Sequence, residues 1–130
     1  MDYKKDFDKW NKEKRSLDTK ENFPYANERE IWWCSLGVNV GSEIDGKNDN
    51  FERPIVVLKV YNKDMLLVLP LSTKYKNNPF YFKISISDGK HSYAILSQMR
   101  IISSKRLIRK IERLPENSFG EIIKAYKDSI

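Results

Sequence analysis

Two nearly continuous apolar runs, Pro54–Val60 and Met65–Leu71, are separated only by the polar turn Asn62-Lys63-Asp64. So short a connection folds the runs back antiparallel, and their lack of alternation suits strands buried on both faces. Ile31-Trp32-Trp33-Cys34-Ser35-Leu36 is equally rich in aromatic and apolar residues and reads as another buried strand. Phe80, Phe82, Ile84 and Ile86 alternate with Tyr81, Lys83, Ser85 and Ser87, a period of two that gives one dry face and one wet one. Asp88-Gly89 supplies turn chemistry, and Tyr93 to Gln98 pairs back. About five antiparallel strands with apolar faces must curl around one core as a strongly bent sheet or open barrel.

Helical periodicity flanks this β region. Tyr3, Phe7, Trp10 and Leu17 fall at spacings of four, three and seven, which predicts one apolar stripe on a helix over roughly 3–17. Asn22 to Asn27, with Pro24, then breaks regular structure. Residues 1–29 therefore read as an appended helix and linker, and residues 30–130 as the folded domain. Gly37, Gly41, Gly46 and the polar run Lys47-Asn48-Asp49-Asn50 mark 37–52 as a long loop, expected to be mobile. Ser103 or Ser104 is placed to cap a short helix over Lys105–Lys110. Phe119, Ile122, Ile123, Tyr126 and Ile130 form a stripe on a last helix, with Ser118-x-x-Glu121 matching a capping box. The fold class is α+β, mainly β.

With 130 residues the chain suffices for one domain and one core. No apolar run approaches the ~20 residues of a membrane span, and the N-terminus lacks an apolar signal core, so the cytosol is the expected location. The net charge of +6 is carried by residues 31–130, because residues 1–30 balance eight Lys/Arg against eight Asp/Glu. Arg100, Lys105, Arg106, Arg109, Lys110 and Arg113 are opposed locally only by Glu112. Such a cluster fits a polyanionic partner, or simply a solvated face. The single histidine, His91, excludes a two-histidine acid–base mechanism. One His and one Cys disfavour a zinc site, so no metal or other cofactor is expected. Cys34, between apolar neighbours, reads as a buried, inert thiol. Trp32 and Trp33 must point to opposite faces, and His91 reads as an exposed turn residue.

Three segments, in order, resemble the PemK/MazF family of toxins over about residues 29–130. The first is Glu30-Ile31-Trp32-Trp33 followed by Leu36-Gly37-Val38-Asn39-Val40-Gly41-Ser42-Glu43. The second pairs Arg53-Pro54-Ile55-Val56-Val57-Leu58 with Leu69-Pro70-Leu71-Ser72-Thr73-Lys74. The third runs from Ile95-Leu96-Ser97-Gln98-Met99-Arg100 to Ile101-Ile102-Ser103-Ser104-Lys105-Arg106-Leu107. The resemblance implies an SH3-like antiparallel barrel with a C-terminal helix, a homodimer, and neutralisation by an antitoxin with an acidic, flexible tail. It also implies metal-independent, sequence-specific cleavage of single-stranded RNA or mRNA by 2′-hydroxyl attack, leaving a cyclic phosphate and a 5′-hydroxyl. Arg53 matches the family's catalytic arginine. Ser72, with Thr73 one place away, matches its catalytic hydroxyl, and Glu43 matches its loop carboxylate. Lys74, Lys76, Gln98 and Arg100 are the implied RNA contacts, although Arg100 is equally suited to pairing with a carboxylate.

These groups suit the chemistry. Arg53 offers a planar, permanently charged fork for two phosphate oxygens, and a hydroxyl from Ser72 or Thr73 can hold another. Glu43 either accepts the 2′-hydroxyl proton or orients the ribose. Two departures from the family pattern, the longer loop between Glu43 and Arg53 and the added N-terminal helix, bear on the groove. The alternatives are a non-catalytic binding module of the same fold, or a degenerate toxin acting as a regulator.

Overall fold

The computed structural model describes residues 4–47, 51–86 and 91–130. Tyr3, Asn48-Asp49-Asn50, Ser87 and the Asp88-Gly89 turn lie outside them. The elements run α1 (Phe7–Asp18), β1 (Glu30–Ser35), β2 (Glu52–Asn62), β3 (Met65–Ser72), β4 (Tyr81–Ser85), β5 (His91–Ile95), β6 (Arg100–Ser103), β7 (Leu107–Arg113) and α2 (Glu116–Asp128). Single 3-10 turns occupy Leu96–Gln98 and Ser104–Arg106.

β2 and β3 form the expected hairpin, with Val56 opposite Leu69 and Val57 opposite Val68. β1 pairs with the other edge of β2. β3 divides its outer edge between β6, along Met65–Val68, and β5, at Leu71–Ser72. β7 pairs with the outer edge of β1. β6 and β7 are joined only by the turn Ser104–Arg106, so the sheet must curl until its β3 and β1 edges approach each other. The result is a small barrel with the β4–β5 hairpin carried on the end of β3.

The curl explains two-sided burial. Ile55 and Val57 of β2 face one cluster with Trp32, Cys34, Leu66, Val68, Ile102 and Leu107. Val56 and Leu58 face a second with Ile31, Leu69, Leu71 and Ile84, covered by Ile122 of α2. Trp32 is buried while Trp33, on the opposite face, is half-buried beneath the Arg109 guanidinium, 5.1 Å from its ring.

Among the described residues seven strands replace the expected five or so, and Lys105–Lys110 form a 3-10 turn and the start of β7 in place of the expected helix. Ser103 does cap, its Oγ accepting from Lys105 N at 3.1 Å, but only for one 3-10 turn. A helix that short gains too few bonds to offset nucleation, whereas Leu107–Arg113 pairs with Glu30–Cys34 of β1. The capping box also fails. α2 begins at Glu116 behind Pro115, so Ser118 already lies inside its first turn, and Ile130 is exposed beyond its end. On α1 the apolar stripe is narrower than predicted: Trp10 is buried, Leu17 half-buried and Phe7 exposed.

Candidate active site

Arg53 is the second residue of β2, on the same face as Ile55, and the 55–70 register continued two residues sets Arg53 opposite Ser72. The Arg53 side chain is 8% exposed. Its Nε donates to Asp45 O at 2.6 Å and its Nη1 to Leu71 O at 3.1 Å. Two backbone carbonyls from different elements thus fix the guanidinium plane, one from the 36–51 loop and one from β3. Fixing the plane in advance matters because a fork must meet phosphate oxygens in one orientation.

The described part of that loop is cross-braced. Asn39 N donates to Asp45 Oδ1 at 2.6 Å, Asn39 Nδ2 to Ile44 O at 2.8 Å, and Gly46 N to Gly37 O at 2.7 Å. Lys47 and Glu52 form a β-bridge at its far end. Gly46 is obligatory, since a Cβ there would lie 1.6 Å from Phe51 O. Gln98 grips the same loop from outside: its Nε2 donates to Ser42 O at 3.1 Å, and its Oε1 accepts from Ile44 N at 3.2 Å. Both ends of its amide are therefore occupied in holding the segment that carries Glu43, which is a positioning role.

Arg53 lines a cavity of about 640 Å³ together with Glu43, Asp45, Lys47 and Lys74. Its remaining walls include Lys4, Asp6 and Lys9 from the N-terminal segment, and Val38 and Phe51. Five cationic side chains face three carboxylates there. Of the carboxylates, Asp6 caps α1 through Lys9 N at 2.9 Å, and Asp45 is paired with Lys5 at 3.4 Å. Lys47 has its pKa lowered, by burial first and then by the positive charges of Lys74 and Arg53. Lys47 is thus held close enough to two other cations to be depressed by them, a strain that an anion would relieve.

The other sequence-derived positions distribute around this cavity. Glu43 is exposed, its Oε1 accepting from Val40 N at 3.1 Å. Ser72 is half-buried and its Oγ accepts from Lys74 N at 3.2 Å; Thr73 is exposed on the following turn. Neither hydroxyl belongs to the cavity wall, though Ser72 lies one residue beyond the carbonyl that holds Arg53. Arg100 is half-buried in a neighbouring cavity of about 300 Å³ that also includes Glu43 and Gln98. Lys76 lies over the Tyr81 ring at 6.0 Å, and the exposed Tyr75 packs tilted against Tyr93, ring centroids 5.5 Å apart. Tyr93 is opposite both Ser72 and Lys83 in register, so an aromatic and basic row leads away from Ser72. His91 is exposed at the start of β5.

Burial pushes the Cys34 thiol up to about 12, against the pull of Arg106 and Arg100. Among the described residues no three His, Cys, Asp or Glu side chains gather as a metal site requires, and no helix is long and apolar enough to cross a membrane.

Asp45, Lys47 and the N-terminal lysines were not legible as site residues. Asp45 acts through its carbonyl, and a backbone oxygen has no sequence signature. Lys47 sits in a polar run that reads as solvated loop.

The fold has known counterparts. A MazF toxin structure from Deinococcus radiodurans matches with a TM-score of 0.66 at 18% identity, covering 84% of this chain and 97% of that one. The toxin MazF-mt6 of Mycobacterium tuberculosis matches with a TM-score of 0.58 at 15% identity, over 78% of this chain and 95% of that one. An endoribonuclease in complex with its cognate antitoxin, from a mycobacterial species, matches with a TM-score of 0.58 at 12% identity, over 82% and 93%. No curated protein matches the sequence. The family model for the PemK-like, MazF-like toxin of type II toxin-antitoxin systems matches residues 27–130. That span takes in every strand and α2 and leaves out only α1 and its linker, so this chain belongs to the PemK-like, MazF-like toxins of type II toxin-antitoxin systems.

Proposed function

We propose that this toxin is a metal-independent endoribonuclease that cuts single-stranded RNA at the Arg53 cavity. One observation carries the reading: a guanidinium pre-aimed by Asp45 O and Leu71 O shares its cavity with Lys47, Lys74 and the carboxylate Glu43. In the reaction the ribose 2′-oxygen attacks the adjacent phosphorus, negative charge grows on the phosphorane oxygens, and the bond to the 5′-oxygen breaks, that oxygen taking a proton from solvent to leave as the 5′-hydroxyl beside a 2′,3′-cyclic phosphate. Arg53 meets the growing charge with two parallel N–H groups, while Lys47 and Lys74 hold the flanking phosphates. Glu43 takes the 2′-proton. Ser72 steadies the backbone turn into Lys74, and bases leaving the cleft stack along Tyr75 and Tyr93.

Removing a pre-aimed donor to a developing oxyanion costs about 10²–10³ in rate. Arg53→Ala is therefore expected to lower cleavage of a long mixed-sequence RNA at least that far, with circular dichroism unchanged and EDTA without effect on the parent. A folded Arg53→Ala protein cutting at the parental rate would remove the assignment. Glu43→Gln should cost about 10²–10⁴ in rate; a fall of less than about tenfold would mean that Glu43 orients the ribose instead.

The antitoxin complex of the mycobacterial relative supports a cognate antitoxin here, its acidic tail competing for the same cations. A homodimer is proposed as well, with exposed Met65 and Ile101, diagonal neighbours on β3 and β6, in its contact; a monomer by light scattering would remove it. A second reading, a binding module without catalysis, is favoured by the absence of the Ser72 and Thr73 hydroxyls from the Arg53 cavity wall. RNA bound but left intact by the parent protein would establish that reading.

A further inference from the structure

The N-terminal segment lies outside the family match, yet it is built into the site. Trp10 is 4% exposed, with its ring 5.4 Å from Phe51 and beneath the Arg106 guanidinium at 5.6 Å. The barrel leaves room for it: a Cβ on Gly37 would lie 1.9 Å from the Trp10 ring. Lys5 Nζ donates to Asn39 O and, at 3.0 Å, to Gly41 O, and it pairs with the Asp45 carboxylate at 3.4 Å. At its C-terminal end, Lys20 Nζ donates to Lys105 O and Lys105 Nζ to Asp18 O, each at 3.0 Å. The segment is thus docked at both ends and in the middle, and its cavity-facing side presents Lys4, Asp6 and Lys9 beside Arg53, Lys47 and Lys74.

The sign of its charge distinguishes what it does there. A segment that blocked the cavity by imitating RNA would be acidic. Residues 4–20 instead carry seven Lys/Arg against four Asp/Glu, and Asp6 is engaged as the α1 cap. We propose that residues 4–6 and α1 form a wall of the RNA groove, with Lys4 and Lys9 contacting backbone phosphates of a single strand that reaches Arg53. The inference rests on the RNA reading above and extends it: the bound strand spans more phosphates than the barrel alone can hold.

The test uses the full chain and a mixed-sequence, single-stranded 2′-O-methyl RNA, which lacks the attacking hydroxyl and so stays intact during the measurement. Each phosphate contact to a single strand contributes about 0.7 to the slope of log affinity against log salt. Lys4→Ala/Lys9→Ala should lower that slope by roughly 1.4 and weaken binding several-fold at low salt. Lys124→Ala/Lys127→Ala removes the same net charge from exposed positions of α2, off the cavity wall, and should change the slope far less. Equal slopes for the two double variants overturn the proposal, as does a loss seen only with a poly-glutamate peptide. Failure of the parent to bind or cut any RNA sinks the nuclease reading with it, whereas a parent that cuts RNA alongside equal slopes removes the groove wall alone.

Discussion

Glu30 begins β1 with its carboxylate almost fully enclosed. One oxygen accepts from Asn27 N at 2.8 Å and Trp32 Nε1 at 3.0 Å, and the other is 3.4 Å from Lys110 Nζ. Burial pushes this carboxyl up, but the bonds from Asn27 and Trp32 and the charge of Lys110 outweigh it, leaving the pKa below the usual value. A carboxyl whose folded pKa is depressed stabilises the fold above its unfolded pKa, and that contribution disappears as pH falls through the folded value. Glu30→Gln should therefore be less stable than the parent at neutral pH, by about 1–3 kcal/mol for lost bonds to a charged acceptor. The gap should close as urea melts are repeated down to about pH 3. A gap that holds constant with pH would mean that the Gln variant loses packing and not charge. Cys34, pushed up to about 12, should stay unmodified by thiol reagents until the protein unfolds.

At the scale of elements, two glycines of the β1–β2 loop separate conformational from packing demands. Both have positive φ, +79° at Gly37 and +57° at Gly41. A Cβ at Gly41 meets nothing, whereas one at Gly37 strikes Trp10. Gly41→Ala should cost only the backbone penalty of about 1 kcal/mol. Gly37→Ala should cost more and eject Trp10 from its slot, seen as a red-shifted tryptophan emission that Gly41→Ala does not show. The same contact explains what sequence patterning reaches. The β2–β3 hairpin was legible because burial on both faces leaves unbroken apolar runs. β6 and β7 were not, because Ile101, Ile108 and Ile111 stand among Arg and Lys at spacings that suit a helix as well as a strand, and pairing with β1 and β3 decides between them. Arg53 was a candidate from its place ahead of an apolar strand within a resembling motif, and it lines the cavity with Lys47 and Lys74. The docking of α1 was not, since it depends on space left by a glycine 27 residues further along the chain.

For the whole molecule, charge is the property most unevenly placed. Between Asp64 and Glu112 the only carboxylate is Asp88, against nine Lys/Arg, and the Arg53 cavity adds Lys47 beside Lys74. Such a surface attracts a polyanion from a distance, with attraction that weakens as salt rises. Lys47 turns this into a local proton balance. In the unliganded protein its pKa is lowered by burial and by two neighbouring cations, so in the alkaline range part of the population has lost the proton. A phosphate in the cavity opposes both cations and moves the pKa back up. Binding must then take up protons, and affinity must fall as pH rises through the lowered pKa of the unliganded site. Calorimetry with 2′-O-methyl RNA in the alkaline range, in two buffers of different ionisation enthalpy, should give heats that differ by the protons absorbed. Lys47→Arg keeps the charge and removes the titration, because guanidinium stays protonated throughout this range, so its heats should agree between buffers while its affinity is preserved. Buffer-independent heats for the parent would place the phosphate away from Lys47, and with it the path of the RNA through the cavity.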